Sequence, residues 1–209
     1  MSLERLKELC KLNGIELSEK QYEKFERYRD LLKKWGKRIN ITSILNDKEI
    51  EEKHFFDSLL GLKALEIYGF DYHNKHLGDV GSGGGFPGVP LAIAIQDSTF
   101  DLVESRHKRC VFLEQVKREL KLSNVKVHCL RVESVDGNYD MLLMRAVEDP
   151  IEAIEITKHL LEKGAILCIY RGKERFSQKL PGYQIEEISF EPVGIAFKRH
   201  FLFIRKVKQ

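Results

Sequence analysis

Glycine dominates one short segment of the chain, Asp79-Val-Gly-Ser-Gly-Gly-Gly-Phe-Pro-Gly88. Glycine lets the backbone turn sharply and approach a ligand without a clash at Cβ. The segment follows a short apolar run that ends at Val80, and an apolar stretch with helical spacing comes after it. Open α/β sheets bind their ligands at the carboxyl ends of strands. The sequence therefore predicts a ligand-binding loop between a first strand and the following helix.

The spacing of the glycines favours one kind of ligand. A dinucleotide site has the pattern G-x-G-x-x-G, and its third glycine permits close packing of helix against strand. Here Gly81 and Gly83 are followed by the bulky Phe86 at that third position. Asp79 stands two residues before Gly81, where a carboxylate can reach the ammonium of a methionine moiety directly or through water. The pattern favours S-adenosylmethionine, and a nicotinamide or flavin dinucleotide is the alternative.

Two later strand ends offer further groups to a nucleoside. Glu104 follows Gly83 by 21 residues and ends the second predicted strand, where an acid can accept both ribose hydroxyls. Ser105 is the next residue along the chain. An acid in this place also stabilises the dipole of the following helix, and the two roles are compatible. After the third strand, Val132 and Glu133 are predicted to line an adenine pocket.

The fourth predicted strand ends in Met144-Arg-Ala-Val-Glu148. This sequence lacks the Asn-Pro-Pro-Tyr or Asp-Pro-Pro-Tyr pattern that grips an exocyclic amino group, and it lacks the Pro-Cys of a cysteine nucleophile. A ring nitrogen needs neither, because no proton must leave, and catalysis reduces to alignment and exclusion of water. Guanine N7 fits this description. Arg145 is the candidate catalytic residue, bonding cofactor or base, and a structural salt bridge is its alternative.

His54, Asp57 and Ser58 are the residue types of a hydrolase triad. Their spacing puts all three on one helical face. Three residues on a single helical turn rarely reach triad geometry, and the sequence shows no oxyanion loop to accompany them. A position facing the mouth of the cofactor site is the preferred interpretation.

Residues 1 to about 70 have the pattern of helices. The segment Ser18-Glu-Lys-Gln21 is a capping box, in which the serine and glutamine side chains bond each other's backbone amides. An apolar stripe at helical spacing follows, and Gly36 is predicted to end that helix. A second helix is predicted to begin after Asp47. The stripe consists of Tyr22, Phe25, Tyr28, Leu32 and Trp35.

From residue 76 onward, short apolar runs alternate with amphipathic stretches, which indicates a parallel sheet covered by helices on both faces. The last two strands have no helix between them and are predicted to pair antiparallel. This predicts an α/β, Rossmann-like class I methyltransferase fold with a seven-stranded, mostly parallel sheet. The predicted domains are an N-terminal helical extension, 1–70, and a cofactor domain, 71–209. Strands are predicted near 76–80, 99–104, 125–129, 139–144, 164–170, 184–190 and 200–206, and helices near 88–95, 106–120, 149–161 and 173–179.

The composition is that of a globular chain. Of its 209 residues, 43% are hydrophobic and 32% charged, and the net charge is +3. No apolar stretch is long enough to span a bilayer and no signal-peptide pattern is present, so we expect a cytoplasmic protein without membrane contact. The four cysteines lack metal-ligand spacing, and we expect no metal and four unpaired, buried thiols. Cations cluster at 33–38, 106–109 and 198–209, which together point to a polyanionic partner, although any one cluster alone is better explained as a solvated helix or strand face.

Several segments, taken in order, resemble the RsmG family, also called glucose-inhibited division protein B. The glycine segment extended to Ile93 carries most of the resemblance, which covers about residues 5–206. It implies that S-adenosylmethionine methylates N7 of one guanine in the 530 loop of bacterial 16S ribosomal RNA. Many relatives have Lys-Gly after the fifth strand, where this chain has Arg171-Gly172. The other similar segments are Arg38-Ile-Asn40-Ile-Thr42, His54-Phe-Phe-Asp57-Ser58-Leu59, Glu104-Ser105-Arg-His-Lys108-Arg109, Arg131-Val-Glu133 and Arg145-Ala146.

The resemblance and the basic clusters together define the expected sites. The expected partner is 16S ribosomal RNA, the small ribosomal subunit or its assembly intermediate, bound by a monomer. A methyltransferase for another acceptor and a non-catalytic RNA-binding assembly protein are the alternatives. The expected contacts of the S-adenosylmethionine cofactor are Asp79, Gly81, Ser82, Gly83, Phe86, Glu104, Ser105, Val132, Glu133 and Arg145. The RNA-binding candidates are Lys37, Arg38, His54, Arg171, Lys173 and Arg199.

Overall fold

Helices form the first third of the chain in the computed structural model, which describes residues 3–39, 41–172 and 176–207. The capping box is confirmed: the amide of Ser18 donates to Oε1 of Gln21 at 2.7 Å, and the amide of Gln21 donates to Oγ of Ser18 at 3.4 Å. The side chain of Asn46 caps the helix that begins at Asp47. These helices are α1 (Glu4–Leu12), α2 (Glu19–Ile39), α3 (Asp47–Ile50), a π-helical turn (Glu51–Phe56) and α4 (Asp57–Tyr68).

Strands and helices alternate after residue 75, as the sequence predicts. In the described part of the chain, the strands form one seven-stranded sheet in the order β3-β2-β1-β4-β5-β7-β6. The first five strands are parallel, and β7 pairs antiparallel with both β5 and β6. The predicted fold class is confirmed. The strands are β1 (His76–Val80), β2 (Thr99–Val103), β3 (Val125–His128), β4 (Met141–Arg145), β5 (Ile166–Arg171), β6 (Tyr183–Phe190) and β7 (Arg199–Lys206), and the helices between them are α5 (Gly88–Ala94), α6 (His107–Glu119) and α7 (Pro150–Leu161).

The register of the central strands brings the predicted site residues to one edge. Asp79 pairs with Leu102 of β2 and with Leu143 of β4. The chain leaves β2 at Glu104, and β4 ends at Arg145. Because parallel strands end at the same edge of a sheet, the glycine loop, Glu104 and Arg145 meet there.

The apolar stripe of α2 is confirmed as core, since Phe25, Tyr28 and Leu32 are fully buried. The prediction that Gly36 ends this helix is wrong, because α2 continues to Ile39. A Cβ at Gly36 would lie 2.6 Å from Cδ2 of Leu45, so close packing of the next segment accounts for the glycine.

The sheet is covered on both faces. Alternate strand residues point to opposite sides, so Leu143 packs with the N-terminal helices, α5 and α6, whereas Leu142 packs with α7. The N-terminal helices share one hydrophobic cluster with the sheet, and the predicted boundary at residue 70 falls between α4 and β1. The division into two domains stays a prediction. In the described ranges, no helix combines the length and apolar character needed to cross a bilayer.

One predicted helix is not found in the described residues. The structure has no helix at 176–179, and the rest of the predicted segment, 173–175, lies outside the described residues. The other predicted strands and helices agree with the structure to within one or two residues at their ends.

The expectation of four unpaired thiols is wrong. Cys10 and Cys168 are free and buried, but Cys110 and Cys129 form a disulfide across 5.7 Å between their Cα atoms. The pair joins α6 to the end of β3. Sheet order is the cause, since β3 lies beside β2 and α6 packs against β3.

We expect the variant in which both Cys110 and Cys129 are replaced by serine to unfold more easily than the wild type. The disulfide closes a loop with a sequence separation of 19, which restricts the unfolded chain. For a loop of this size the free energy of unfolding should fall by about 3 kcal/mol. Denaturant titration without reductant measures the difference, and dithiothreitol should bring the two curves together. A wild type whose curve is the same with and without reductant would contradict the prediction.

Candidate active site

The glycine loop folds back onto the end of β2. The backbone amides of Gly81 and Ser82 donate to the carbonyl of Val103 at 2.9 and 3.0 Å. Gly81 and Gly83 have φ angles of +72° and +56°, a left-handed conformation that side chains rarely adopt. Apart from the adjacent residues, a Cβ at Gly81 would meet no atom of the described residues within 4 Å. The loop therefore has open space on the side where a ligand is predicted.

Asp79 lies beneath this loop and is completely buried. Its Oδ2 accepts a hydrogen bond of 3.0 Å from the amide of Gly88, while its Oδ1 has no hydrogen-bond partner among the described residues. A Cβ at Gly88 would stand 2.6 Å from Oδ2, so this close approach requires glycine. Burial raises the pKa of the carboxyl from 3.8 to about 7. An unpaired buried acceptor is uncommon in folded proteins, and a cationic ligand would satisfy it.

Glu104 faces the same loop from β2. Its Oε2 accepts from the amide of Gly83 at 3.0 Å, and its Oε1 accepts from the amide of Arg106 at 2.8 Å. Nη1 of Arg109 lies 3.6 Å from Oε2. The carboxylate is thus held in place at the position predicted for ribose recognition. Ser105 is exposed beside it.

The residues predicted to line the adenine pocket follow β3. Val132 is buried in a 3₁₀ turn, Val132–Ser134, and shares a hydrophobic cluster with Val80 and Val103. These two valines end β1 and β2, so Val132 lies next to the glycine loop and Glu104. The side chain of Glu133 is exposed.

Phe86 joins the glycine loop to the N-terminal helices. Its ring stacks on the ring of His54 with centroids 4.4 Å apart and on Tyr28 at 5.5 Å. The hydroxyl of Tyr28 donates to the carbonyl of Gly84. The sequence pattern predicts Tyr28 only as core, although a buried tyrosine hydroxyl calls for a hydrogen-bond partner. The helical extension therefore supports the shape of the loop.

His54 is 8% exposed, which leaves little of its surface for the RNA contact predicted from sequence. Its Nε2 lies 2.8 Å from Oγ1 of Thr42, and in the described part of the chain its Nδ1 has no hydrogen-bond partner. Burial, followed by the charge of Arg145, lowers the pKa of the imidazole to about 4. His54 is therefore neutral near pH 7 and forms part of the wall behind Phe86.

Arg145 points towards the N-terminal helices. Its Nη2 lies 3.2 Å from Oδ2 of Asp57 and donates to the backbone carbonyl of Lys53 at 2.5 Å. Its Cζ lies 5.9 Å from the centre of the Phe86 ring. The geometry matches the salt bridge that the sequence left open as the alternative to a catalytic contact.

A cleft of about 520 Å³ opens at the ends of β4 and β5. Nε of Arg199 lies 2.5 Å from Oδ1 of Asp57, and its Cζ lies 4.3 Å from the centre of the Phe197 ring. In the described part of the chain, Nε and Nη1 of Arg171 are buried and have no hydrogen-bond partner. The cleft is lined by Asp57, Arg145, Ala146, Val147, Tyr170, Arg171, Gly172, Arg199, His200 and Phe201.

Three of the predicted RNA contacts cannot be placed. The side chains of Lys37 and Arg38 are not described, and Lys173 lies outside the described residues. Among the described residues, no group of three His, Cys, Asp or Glu side chains could hold a metal ion.

Known proteins similar to this chain include several methyltransferases. A family model for rRNA small subunit methyltransferase G matches residues 21–190. The chain is 39% identical over 186 residues to ribosomal RNA small subunit methyltransferase G of Aquifex aeolicus (strain VF5), which covers 88% of this chain and 92% of that relative. The protein of the same name from Francisella tularensis subsp. tularensis (strain SCHU S4 / Schu 4) is 35% identical over 192 residues, 90% of each chain. In fold, the chain is similar to magnesium protoporphyrin IX methyltransferase from Synechocystis PCC 6803 with bound SAM, with a TM-score of 0.58 and 16% identity over 86% of this chain and 97% of that one.

Proposed function

The chain belongs to the rRNA small subunit methyltransferase G family, and we propose that it transfers a methyl group from S-adenosylmethionine to N7 of a guanine in the 530 loop of 16S ribosomal RNA. The observation that carries the proposal is the common edge of the sheet, where the glycine loop and Glu104 lie beside the arginine-lined cleft. The glycine loop and Glu104 suit a nucleoside ligand that carries an ammonium group. The arginine-lined cleft suits a substrate that carries phosphates.

The residues at the loop fit S-adenosylmethionine. The unpaired Oδ1 of Asp79 would accept from the ammonium of the methionine moiety, directly or through water. The open left-handed turn at Gly81 leaves room for close backbone approach, and the carboxylate of Glu104 would accept the ribose hydroxyls. Val132 offers an apolar side to adenine.

When bound, S-adenosylmethionine supplies an electrophilic methyl group on a positively charged sulfur. Guanine N7 carries a free lone pair and loses no proton on methylation, so the proposed reaction requires no general base. The protein then acts by aligning the two reactants and excluding water. The neutral His54, stacked on Phe86, fits a role in fixing the shape of the loop.

The arginines of the cleft are the proposed RNA contacts. Among the described residues, Nε and Nη1 of Arg171 have no hydrogen-bond partner, and Arg145 and Arg199 line the same cleft. Cations of this kind position a nucleic acid through its phosphates. Guanine N7 lies in the deep major groove of an A-form helix, so the target base should be unpaired or flipped out. The proposed place of action is the bacterial cytoplasm, where ribosomal RNA is processed.

The proposal is tested with radiolabelled cofactor and in vitro transcribed 16S RNA, which carries no modification, offered alone and assembled into small subunits. We expect one labelled guanine in the 530 loop, mapped by chain cleavage at N7-methylguanine. A transcript with adenine at that position is the control and should stay unlabelled. Label at another atom would overturn the proposed acceptor. Cofactor binding without RNA methylation would favour another acceptor, and failure to bind cofactor would favour a non-catalytic RNA-binding protein.

A further inference from the structure

Asp57 lies between two strands whose arginines line the cleft. It begins α4, directly after the π-helical turn, and its side chain is buried. Its Oδ2 lies 3.2 Å from Nη2 of Arg145 on β4, and its Oδ1 lies 2.5 Å from Nε of Arg199 on β7. One carboxylate thus holds two arginines that come from different strands.

The described residues that line the cleft carry more positive than negative charge. They include three arginines and one carboxylate, that of Asp57, while His200 is paired with Glu187 at 2.5 Å. Guanidinium groups that share a cleft repel each other, and each long side chain loses rotamer freedom when it is fixed. Asp57 offsets both costs for Arg145 and Arg199, whereas Nε and Nη1 of Arg171 are buried and have no hydrogen-bond partner among the described residues.

The attachment of α4 to the sheet does not depend on this carboxylate. The hydroxyl of Tyr170 donates to the carbonyl of Ser58 at 3.1 Å, and Gly61 packs directly against the same tyrosine. Tyr68 stacks on Phe203 with ring centroids 4.0 Å apart. An ion pair that only attached α4 to the sheet would duplicate these contacts. The two arginines that Asp57 holds also line the cleft.

We propose that Asp57 is a positioning residue for methyl transfer, which holds Arg145 and Arg199 so that the cleft receives a phosphate of the substrate RNA beside the target guanine. This inference rests on the proposed function. The carboxylate itself would repel RNA, so its contribution is made through the two arginines.

The test is steady-state kinetics and RNA binding of Asp57→Asn, with Asp47→Asn as matched control. Asp47 also pairs with two cations, Arg29 and Lys33, but does not line the cleft, and its replacement makes the same change in charge. For Asp57→Asn we expect kcat to fall about tenfold because the arginines lose their alignment. The affinity for RNA at low salt should be unchanged or tighter, since the cleft gains one positive charge. Asp47→Asn should keep the wild-type kcat.

The outcomes separate the inference from the proposed function. If the wild type does not methylate the RNA, the proposed function fails. If the wild type is active and Asp57→Asn keeps its kcat, or loses RNA affinity in proportion to activity, the positioning role is overturned. Should Asp57→Asn fold poorly, Asp57→Glu replaces it, because it preserves the charge and moves the carboxylate by one methylene. Its kcat is expected to fall below that of the wild type while its affinity for RNA is retained, and a wild-type kcat would also overturn the role.

Discussion

Gly81→Val is expected to weaken the binding of S-adenosylmethionine about 100-fold while the protein stays folded. The φ angle of +72° at this position costs a β-branched residue about 1–3 kcal/mol if the loop is to keep its shape. Apart from the adjacent residues, no atom of the described residues lies within 4 Å of the position that a Cβ would take, so the new side chain would extend into the space proposed for the cofactor. Backbone strain and the volume of the valine side chain therefore both weaken cofactor binding.

A matched control separates backbone strain from the effect on the site. Gly164 also has a positive φ, +103°, and open space around its Cβ position, but it precedes β5 at the opposite edge of the sheet. Gly164→Val should lower the melting temperature by a similar amount and leave cofactor affinity unchanged. Isothermal titration calorimetry and thermal unfolding of both variants give the comparison. Wild-type affinity in Gly81→Val, or equal losses in both variants, would place the cofactor elsewhere.

The glycine loop and the alternation of strands and helices could be predicted because their causes are local. Left-handed turns select glycine, and buried parallel strands are short apolar runs separated by helices, so both leave a pattern in neighbouring residues. The positions of Asp79 and Glu104 then follow, since each ends a strand at the same edge. The order of the elements along the chain is enough to predict that these two carboxylates lie at one loop.

The features that cannot be predicted from the sequence depend on contacts between distant segments. Glycine is a poor helix former, which favours a helix end at Gly36. The helix nevertheless continues, and the close packing of Leu45 against Gly36 accounts for the glycine. The partner of Cys110 is set by the neighbourhood of β2 and β3. Helical spacing argues against a triad at Asp57, yet Arg199 meets Asp57 only because β7 returns to pair with β5. The spacing of residues in the sequence does not show which distant strands pair.

Asp79→Asn is expected to raise the melting temperature at pH 8 and to weaken cofactor binding about 100-fold. In the folded protein burial raises the pKa of Asp79 from 3.8 to about 7, so folding takes up a proton between these values. Stability that is present below pH 3.8 is therefore lost as the pH rises to about 7, where the buried carboxylate ionises. Asparagine is neutral and its oxygen can still accept from the amide of Gly88, so the variant avoids that loss.

The same ionisation gives cofactor binding a pH dependence that the variant should lack. An ammonium binds the ionised carboxylate, so the wild-type Kd should rise about tenfold for each pH unit below about 7 and level off above it. Asp79→Asn should show a weak, flat Kd over that range. Asp97→Asn is the control, because Asp97 is exposed and pairs with His73 away from the loop, and it should retain the wild-type profile. A wild-type Kd that is constant from about pH 5.5 to 8, with roughly equal affinity in Asp79→Asn, would remove Asp79 from the ammonium site.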